Sequence, residues 1–349
     1  MGLGLVLMYF INSLWAFLLV WGGILGTGSN LGLTVPIQTA IANWFVKKRG
    51  LALGLRQAIG ISLTSLVVLL IAWLINAVNW RMTCVIGGVV VWLIGLPLVL
   101  LFVKQHRPEY YGLLPDGARI DEKASGTNKL TEQGVKYAAE AAEVDFTLKQ
   151  AVKTPTFWLL IIATAVPGLV EPVMRTHSVP FLTDLNIDPL KAASFLTILT
   201  LSSVPARLLG GFMVDRIKKE YLRFLLAGGY FLQAVGIIVF LLNQTIAMIY
   251  LWFVIYGIGH GIAMSILIPM RGRYFGRKAF GSIMGLSSMF LTPIGVVAPI
   301  YAGWVYDTTH SYINAFTLFA VMLVIAAVIM SFIHPPKSPD QTEHAYKTS

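Results

Sequence analysis

Ionisable side chains stand inside runs of aliphatic and aromatic residues, chief among them Glu171, Arg175, Arg207 and His260, while Arg56, near a helix end, reads as snorkelling. Placing an Asp, Lys or Arg at the middle of a membrane-spanning helix costs about 2.5 to 3.5 kcal/mol on insertion scales, so such a group is a functional candidate wherever it occurs. The guanidinium of Arg207 is a planar, two-pronged donor that matches a carboxylate. The competing structural reading is an arginine that snorkels from near a helix end or pairs with Asp215. Glu171 and Arg175 are four residues apart, so they share one helical face and are placed to form an ion pair. Pro167-Gly168 just before them permits a bend of the kind transporters use near a solute. Glu171 then reads either as a proton-coupling or gating carboxylate, with Arg175 setting its proton affinity or itself meeting an anion, or as half of a static pair near the mouth. His260 lies in Gly257-Ile258-Gly259-His260-Gly261, where the glycines would leave room beside the imidazole. It can exchange protons near physiological pH or serve as a helix-to-helix hydrogen bonder. His177 is a weaker case of the same kind.

The elements that hold these groups are helices made for lipid. The 349-residue chain is 56% hydrophobic and 12% charged, with a mean hydropathy of +0.74, against about 25% charged residues in an average soluble protein. A spanning helix needs roughly 20 mostly apolar residues, and such runs recur almost from end to end. The net charge of +10 would suit a nucleic-acid binder, but its distribution argues against nucleic acid. Of the 26 Lys and Arg, 21 fall in every second connection: Lys47, Lys48 and Arg49, then residues 104–153, 216–223, 271–278 and the tail. This is the positive-inside pattern, which puts those connections in the cytoplasm of a multi-pass protein of the cell membrane. The single cysteine, Cys84, reads as a small apolar filler.

The chain also repeats itself. Asn43-Trp44-Phe45-Val46-Lys47-Lys48-Arg49-Gly50-Leu51-Ala52-Leu53-Gly54 returns as Arg273-Tyr274-Phe275-Gly276-Arg277-Lys278-Ala279-Phe280-Gly281-Ser282-Ile283-Met284-Gly285. Two aromatics, a cationic cluster and a Gly-bearing apolar run mark a helix leaving the bilayer and another returning, once in each half of a two-bundle architecture typical of secondary transporters. The apolar runs predict an all-α, polytopic membrane fold of about nine full spans plus a partial one at the N-terminus. Residues 1–103 form an incomplete first helix bundle and 104–153 a polar cytoplasmic linker, helical around Lys136-Tyr137. Residues 154–334 form a six-helix second bundle, and 335–349 a cytoplasmic tail.

Three segments carry a family resemblance: Trp44-Phe45-Val46-Lys47-Lys48-Arg49-Gly50 after a Gly-rich helix, Arg107-Pro108-Glu109-Tyr110-Tyr111-Gly112-Leu113-Leu114-Pro115-Asp116-Gly117, and Gly211-Phe212-Met213-Val214-Asp215-Arg216. They resemble the major facilitator superfamily, especially its monocarboxylate and oxalate/formate antiporter-like branches. The resemblance implies that the chain begins inside the family's third helix, without helices one and two or the first copy of the Gly-x-x-x-Asp-Arg loop. It implies that Arg207, in the eighth helix, binds a substrate carboxylate. It also assigns Gly211, Asp215 and Arg216, with Lys48 and Arg49 of the first basic turn, to coupling helix ends during gating, where Asp and Arg can cap helix termini. The alternative for these turns is a purely topogenic basic loop. Oxalate/formate antiporters carry a lysine on helix eleven, and residues 281–306 contain none, so a singly charged acid fits better than dianion exchange. Neutral or amphiphilic solutes stay open.

The expectation is a secondary active transporter of a small organic anion, monocarboxylate-like and compatible with proton coupling, working by alternating access. A truncated, non-transporting membrane sensor or assembly partner of the same fold is the alternative. No enzyme is expected: paired catalytic carboxylates, a His-Glu-x-x-His pattern, a Gly-x-Ser-x-Gly elbow and a phosphate-cradling Gly-rich Lys motif are all missing. No cofactor or metal is implied, and the partners are a small-molecule solute and the lipid bilayer.

Overall fold

The computed structural model describes residues 1–29, 32, 35–104, 106–118 and 144–337. The expected helix around Lys136-Tyr137 and most of the tail lie outside these residues. Among the described residues there are helices and no strands. In chain order they are α1 (Gly2–Leu7), α2 (Leu14–Ser29), α3 (Val35–Trp44), α4 (Arg49–Val78) and α5 (Trp80–Phe102). After them come α6 (Leu148–Val152), α7 (Pro155–Asp184), α8 (Pro189–Arg216), α9 (Leu222–Leu242), α10 (Ile246–Phe275), α11 (Phe280–Thr309) and α12 (Ile313–Ser331). Helix α5 and the six helices α7 to α12 are long and apolar enough to cross a membrane. Helix α4 has 30 residues, about 45 Å at 1.5 Å per residue. The chain is thus an all-α polytopic membrane protein.

Two compact units emerge, one of residues 1–46 and 59–141, the other of residues 47–58 and 142–349. In the first, Ser13 caps α2, its hydroxyl accepting from Ala16 N at 3.2 Å. This is the N-cap chemistry expected of Ser before an apolar run. Asn79, at φ 70°, does the same for α5 by accepting from Met82 N at 3.1 Å. Helix α1 lies on α5 where Gly2 meets Gly88: a Cβ on Gly88 would fall 2.8 Å from Gly2 O.

The second unit has two apolar layers. One gathers Phe181, Phe195, Phe240, Trp252, Phe253 and Phe316, and the other Phe157, Leu226, Ile266, Met270, Phe275 and Met330. Helix α10 runs through both, lying along α8 and α9, while α7 leans on α11 and α12. These close crossings follow from small residues, as membrane helices require: a Cβ on Gly261 would fall 2.5 Å from Ser203 O on α8, and one on Gly259 would fall 2.7 Å from Gly229 O on α9. The glycines around His260 therefore admit the backbones of α8 and α9 where side chains would stand, rather than leaving open space at those positions. Helix α7 continues unbroken through Pro167, Pro172 and Pro180.

The stretch before α7, read as polar linker as far as Lys153, is structured from residue 144. Phe146 is 2% exposed, its N–H donates to Phe275 O at 2.9 Å, and its ring meets that of Phe275 edge-on at 5.7 Å. Asp145 accepts from the N–H groups of Arg277 and Lys278 at 2.7 and 2.9 Å. A Thr147–Gln150 capping box then opens α6.

Candidate functional site

Arg207 comes from the second half of α8 and is 6% exposed. Its Nη1 donates to Gln57 Oε1 on α4 at 2.5 Å, and Gln57 Nε2 donates to Met264 O on α10 at 3.1 Å. The amide is held at both ends, so its oxygen is fixed toward the guanidinium. Arg207 Nε is buried without a hydrogen-bond partner among the described residues. The side chain is neither snorkelled to a helix end nor turned to Asp215, which faces α4.

Glu171 and Arg175 form the expected ion pair along α7, Arg175 Nε donating to Glu171 Oε1. Arg175 is 60% exposed and Glu171 28%, so the pair is open on one side. Such an exposed pair contributes little stability, roughly 0 to 1 kcal/mol, which leaves both groups free to exchange partners. Both charges act on Arg207 and on Tyr256, and His260 lies within the field of Arg207 and Arg175. His260 is 4% exposed and Tyr256 1% exposed. Their rings are stacked one helical turn apart at 6.2 Å, and both His260 Nδ1 and the Tyr256 hydroxyl are buried without partners among the described residues. Arg207 therefore lies within electrostatic range of Glu171, Arg175 and His260. His260 and Arg207 lie between the two apolar layers, whereas Glu171 and Arg175 lie beside the first-layer residues Val170, Val173 and Met174 of α7. Two groups went unread, Gln57 and Tyr256. The available signal was weak: a neutral amide beside Arg56 in an apolar run, and an aromatic four residues before His260.

A second constellation joins α4 to α8 at their Lys/Arg-rich ends. Asp215 accepts from Gly50 N at 2.6 Å and from Leu51 N at 2.8 Å, placing a carboxylate on the unsatisfied N–H groups that begin α4. The backbones touch: a Cβ on Gly211 would fall 2.6 Å from Gly50 O, and one on Gly54 would fall 2.9 Å from Arg207 O. Arg216 extends outward over the Phe212 ring, 3.9 Å from its centroid, and Lys48 is exposed. Arg49 departs from the picture of a solvated basic turn. It is 1% exposed and lies over Gly272, where a Cβ would fall 2.5 Å from its Nη1. Arg271 and Arg277 are likewise buried, each 5% exposed. In the first unit, a hollow of about 360 Å³ bounded by Ile37, Trp44 and Phe102 is apolar apart from Lys104 and holds none of these groups.

A family profile described as Major Facilitator Superfamily matches residues 1–297 and again residues 222–348. The chain belongs to the Major Facilitator Superfamily. Within the superfamily the chain resembles the monocarboxylate branch. It is 25% identical over 333 residues to monocarboxylate transporter 13 of Rattus norvegicus, covering 94% of this chain and 69% of that protein. It is 25% identical over 367 residues to the probable sulfoacetate transporter SauU of Cupriavidus necator, covering 97% and 78%. An uncharacterized transporter of Bacillus subtilis, YycB, is 26% identical over 159 residues, 45% of this chain and 36% of that protein. This chain thus spans about a third of one such relative and about two thirds of another. Among solved structures, the proton:xylose symporter XylE bound to 6-bromo-6-deoxy-D-glucose aligns with a TM-score of 0.65 at 15% identity, over 99% of this chain and 82% of that one. The human organic anion transporter MFSD10 aligns at 0.60 and 13% identity, over 94% and 75%. At such identities the likeness is one of fold. These superfamily relatives are transporters rather than enzymes.

Proposed function

We propose that the protein is a secondary transporter that carries a small organic anion with one carboxylate across the cell membrane by alternating access, and that Arg207 receives the carboxylate. One observation carries the reading. Arg207 is a buried cation whose only hydrogen-bond partner among the described residues is the neutral amide of Gln57, and its Nε remains unpaired. A buried unpaired charge is expensive, and an incoming carboxylate would supply both the counter-charge and the missing acceptor in bidentate geometry. Glu171 is the proton-coupling group in this scheme. With Glu171 ionised, Arg175 stays paired to it. Protonation frees Arg175 as a second positive charge beside the anion, so one proton and one carboxylate would move together. The absence of lysine between residues 281 and 306 fits a single negative charge on the solute. In this scheme the Lys/Arg-rich connections face the cytoplasm, and Asp215 fastens the start of α4 to α8 on that side.

The name of the rat relative supports a monocarboxylate; that of the Cupriavidus relative supports a carboxylate but not a single charge, since sulfoacetate also bears a sulfonate. The test is uptake of labelled pyruvate, acetate and sulfoacetate into proteoliposomes. Saturable flux of a monocarboxylate, reduced at least tenfold by Arg207→Ala, is expected. Binding without flux, or flux indifferent to Arg207, overturns the reading.

A further inference from the structure

Arg271 is a buried cation with no carboxylate partner among the described residues. The repeated turn aligns Trp44 with Tyr274 and Lys48 with Lys278, so Arg271 falls where the first copy has Ile41. A cation at this position is not part of the shared pattern. Its neighbours have structural roles: Arg273 Nη1 donates to Val214 O and Ile217 O at 2.6 and 2.7 Å, closing the C-terminus of α8, and the Arg277 N–H donates to Asp145. Arg271 does neither. It is 5% exposed, and its contacts are two long ones to neutral acceptors, Thr164 Oγ1 on α7 at 3.4 Å and Met284 Sδ on α11 at 3.6 Å. The Thr164 hydroxyl spends its own proton on Leu160 O at 2.7 Å. No carboxylate reaches Arg271 among the described residues. A guanidinium has five N–H donors, and a cation buried in an apolar bundle needs an anion.

A second donor points to the same place. Tyr230, on α9, is 1% exposed and its hydroxyl has no partner among the described residues, yet it lies within electrostatic range of Arg271. A guanidinium without a carboxylate partner and an unpartnered hydroxyl within electrostatic range of it have the composition of an anion receptor. Helices α7 and α10 frame the place without extensive close backbone contact, because α7 leans on α11 and α12 while α10 leans on α8 and α9. The register is also informative. Thr164 precedes Glu171 by seven residues and His260 precedes Arg271 by eleven. At 100° per residue both spacings return to within about 20° of the same helix face, about 10 and 16 Å along the axes.

We propose that Arg271 and Tyr230 form a second carboxylate-binding site in this bundle, about three helical turns along α10 from His260 toward the Lys/Arg-rich end. The class of anion rests on the proposed function; the existence of the site does not. An anion leaving the Arg207 level would meet a second buried cation before reaching water. The site binds an organic carboxylate in preference to chloride, because the guanidinium and hydroxyl present a forked donor set rather than a single point charge.

The test is thermal unfolding of the full-length protein in detergent, titrated with sodium pyruvate, acetate or benzoate, against sodium chloride at equal ionic strength. Binding to the folded state raises the midpoint saturably. The expected result is a carboxylate response that survives Arg207→Gln and is lost in the double variant Arg207→Gln, Arg271→Gln. Tyr230→Phe in the Arg207→Gln background deletes only an unpartnered oxygen, so it keeps the fold and should weaken the response at least threefold. If Arg207→Gln alone abolishes every response, if Tyr230→Phe changes nothing, or if chloride acts as strongly as the carboxylates, the second site is refuted. A wild-type response equal to that of Arg207→Gln, and dependent on Arg271, would refute the Arg207 assignment and keep this one. No response to any carboxylate refutes both.

Discussion

Removing the Asp215 carboxylate should release the start of α4 from α8 by a predictable amount. Asp215 accepts two backbone N–H bonds, 2.6 Å from Gly50 and 2.8 Å from Leu51. Hydrogen bonds to a charged acceptor contribute about 1.5 to 3 kcal/mol each. Gly50 is buried, but Leu51 is exposed, so its bond counts at or below the lower figure. Bare N–H groups left by Asp215→Ala regain water as the contact opens, which trims the loss further. The sum is about 2 to 3 kcal/mol, or roughly a 30- to 150-fold shift toward the separated state at 1.4 kcal/mol per tenfold. Asp215→Asn keeps an acceptor and loses the charge that favours a helix N-terminus, so it should give about half of that free energy. The measurement is the maleimide labelling rate of Ala58→Cys in a Cys84→Ala background, since Ala58 is 4% exposed on the same segment of α4. That rate follows the population of the opened form. Arg216→Ala, whose guanidinium lies over Phe212, serves as the control and should change the rate less than twofold. If Asp215→Ala and Arg216→Ala label alike, the basic turn is topogenic and the carboxylate is not a latch.

Gly211→Ala should lower the unfolding midpoint, because the new Cβ would fall 2.6 Å from Gly50 O, a backbone atom that cannot rotate away. A cost of about 1 to 3 kcal/mol is typical of such overpacking, whereas Gly168→Ala, with nothing within 4 Å, should be neutral or stabilising; equal effects would show that the α4–α8 contact does not form. Glu171→Gln should abolish accumulation of a labelled monocarboxylate driven by an inward proton gradient while leaving counterflow exchange intact. Undiminished gradient-driven accumulation would remove Glu171 from the coupling step.

What could be read in the sequence follows a physical division. Charges within apolar runs stand out by themselves, so Glu171, Arg175, Arg207 and His260 are legible one at a time. The groups that hold or complete them are neutral. Gln57 looks like any amide and Tyr256 like any membrane aromatic until α4, α8 and α10 assemble. The basic turns misled in the opposite direction. The positive-inside rule counts Lys and Arg near a connection as equivalent, but side chains on a helix tilt toward its N-terminus. Helix α10 runs toward its Lys/Arg-rich end, so an arginine four residues short of the helix end points back into the bundle. That places Arg271 against Thr164 and Met284, while Arg273, two residues on and about 200° around the helix, reaches the carbonyls of α8. The same geometry explains why the glycines flanking His260 were misjudged: a missing Cβ signals close approach, and only the assembled helices show that the space is taken by the backbones of α8 and α9. In a bundle this apolar, the position of a cation along its helix says less about its role than the direction of that helix and what its neighbours leave unpaired.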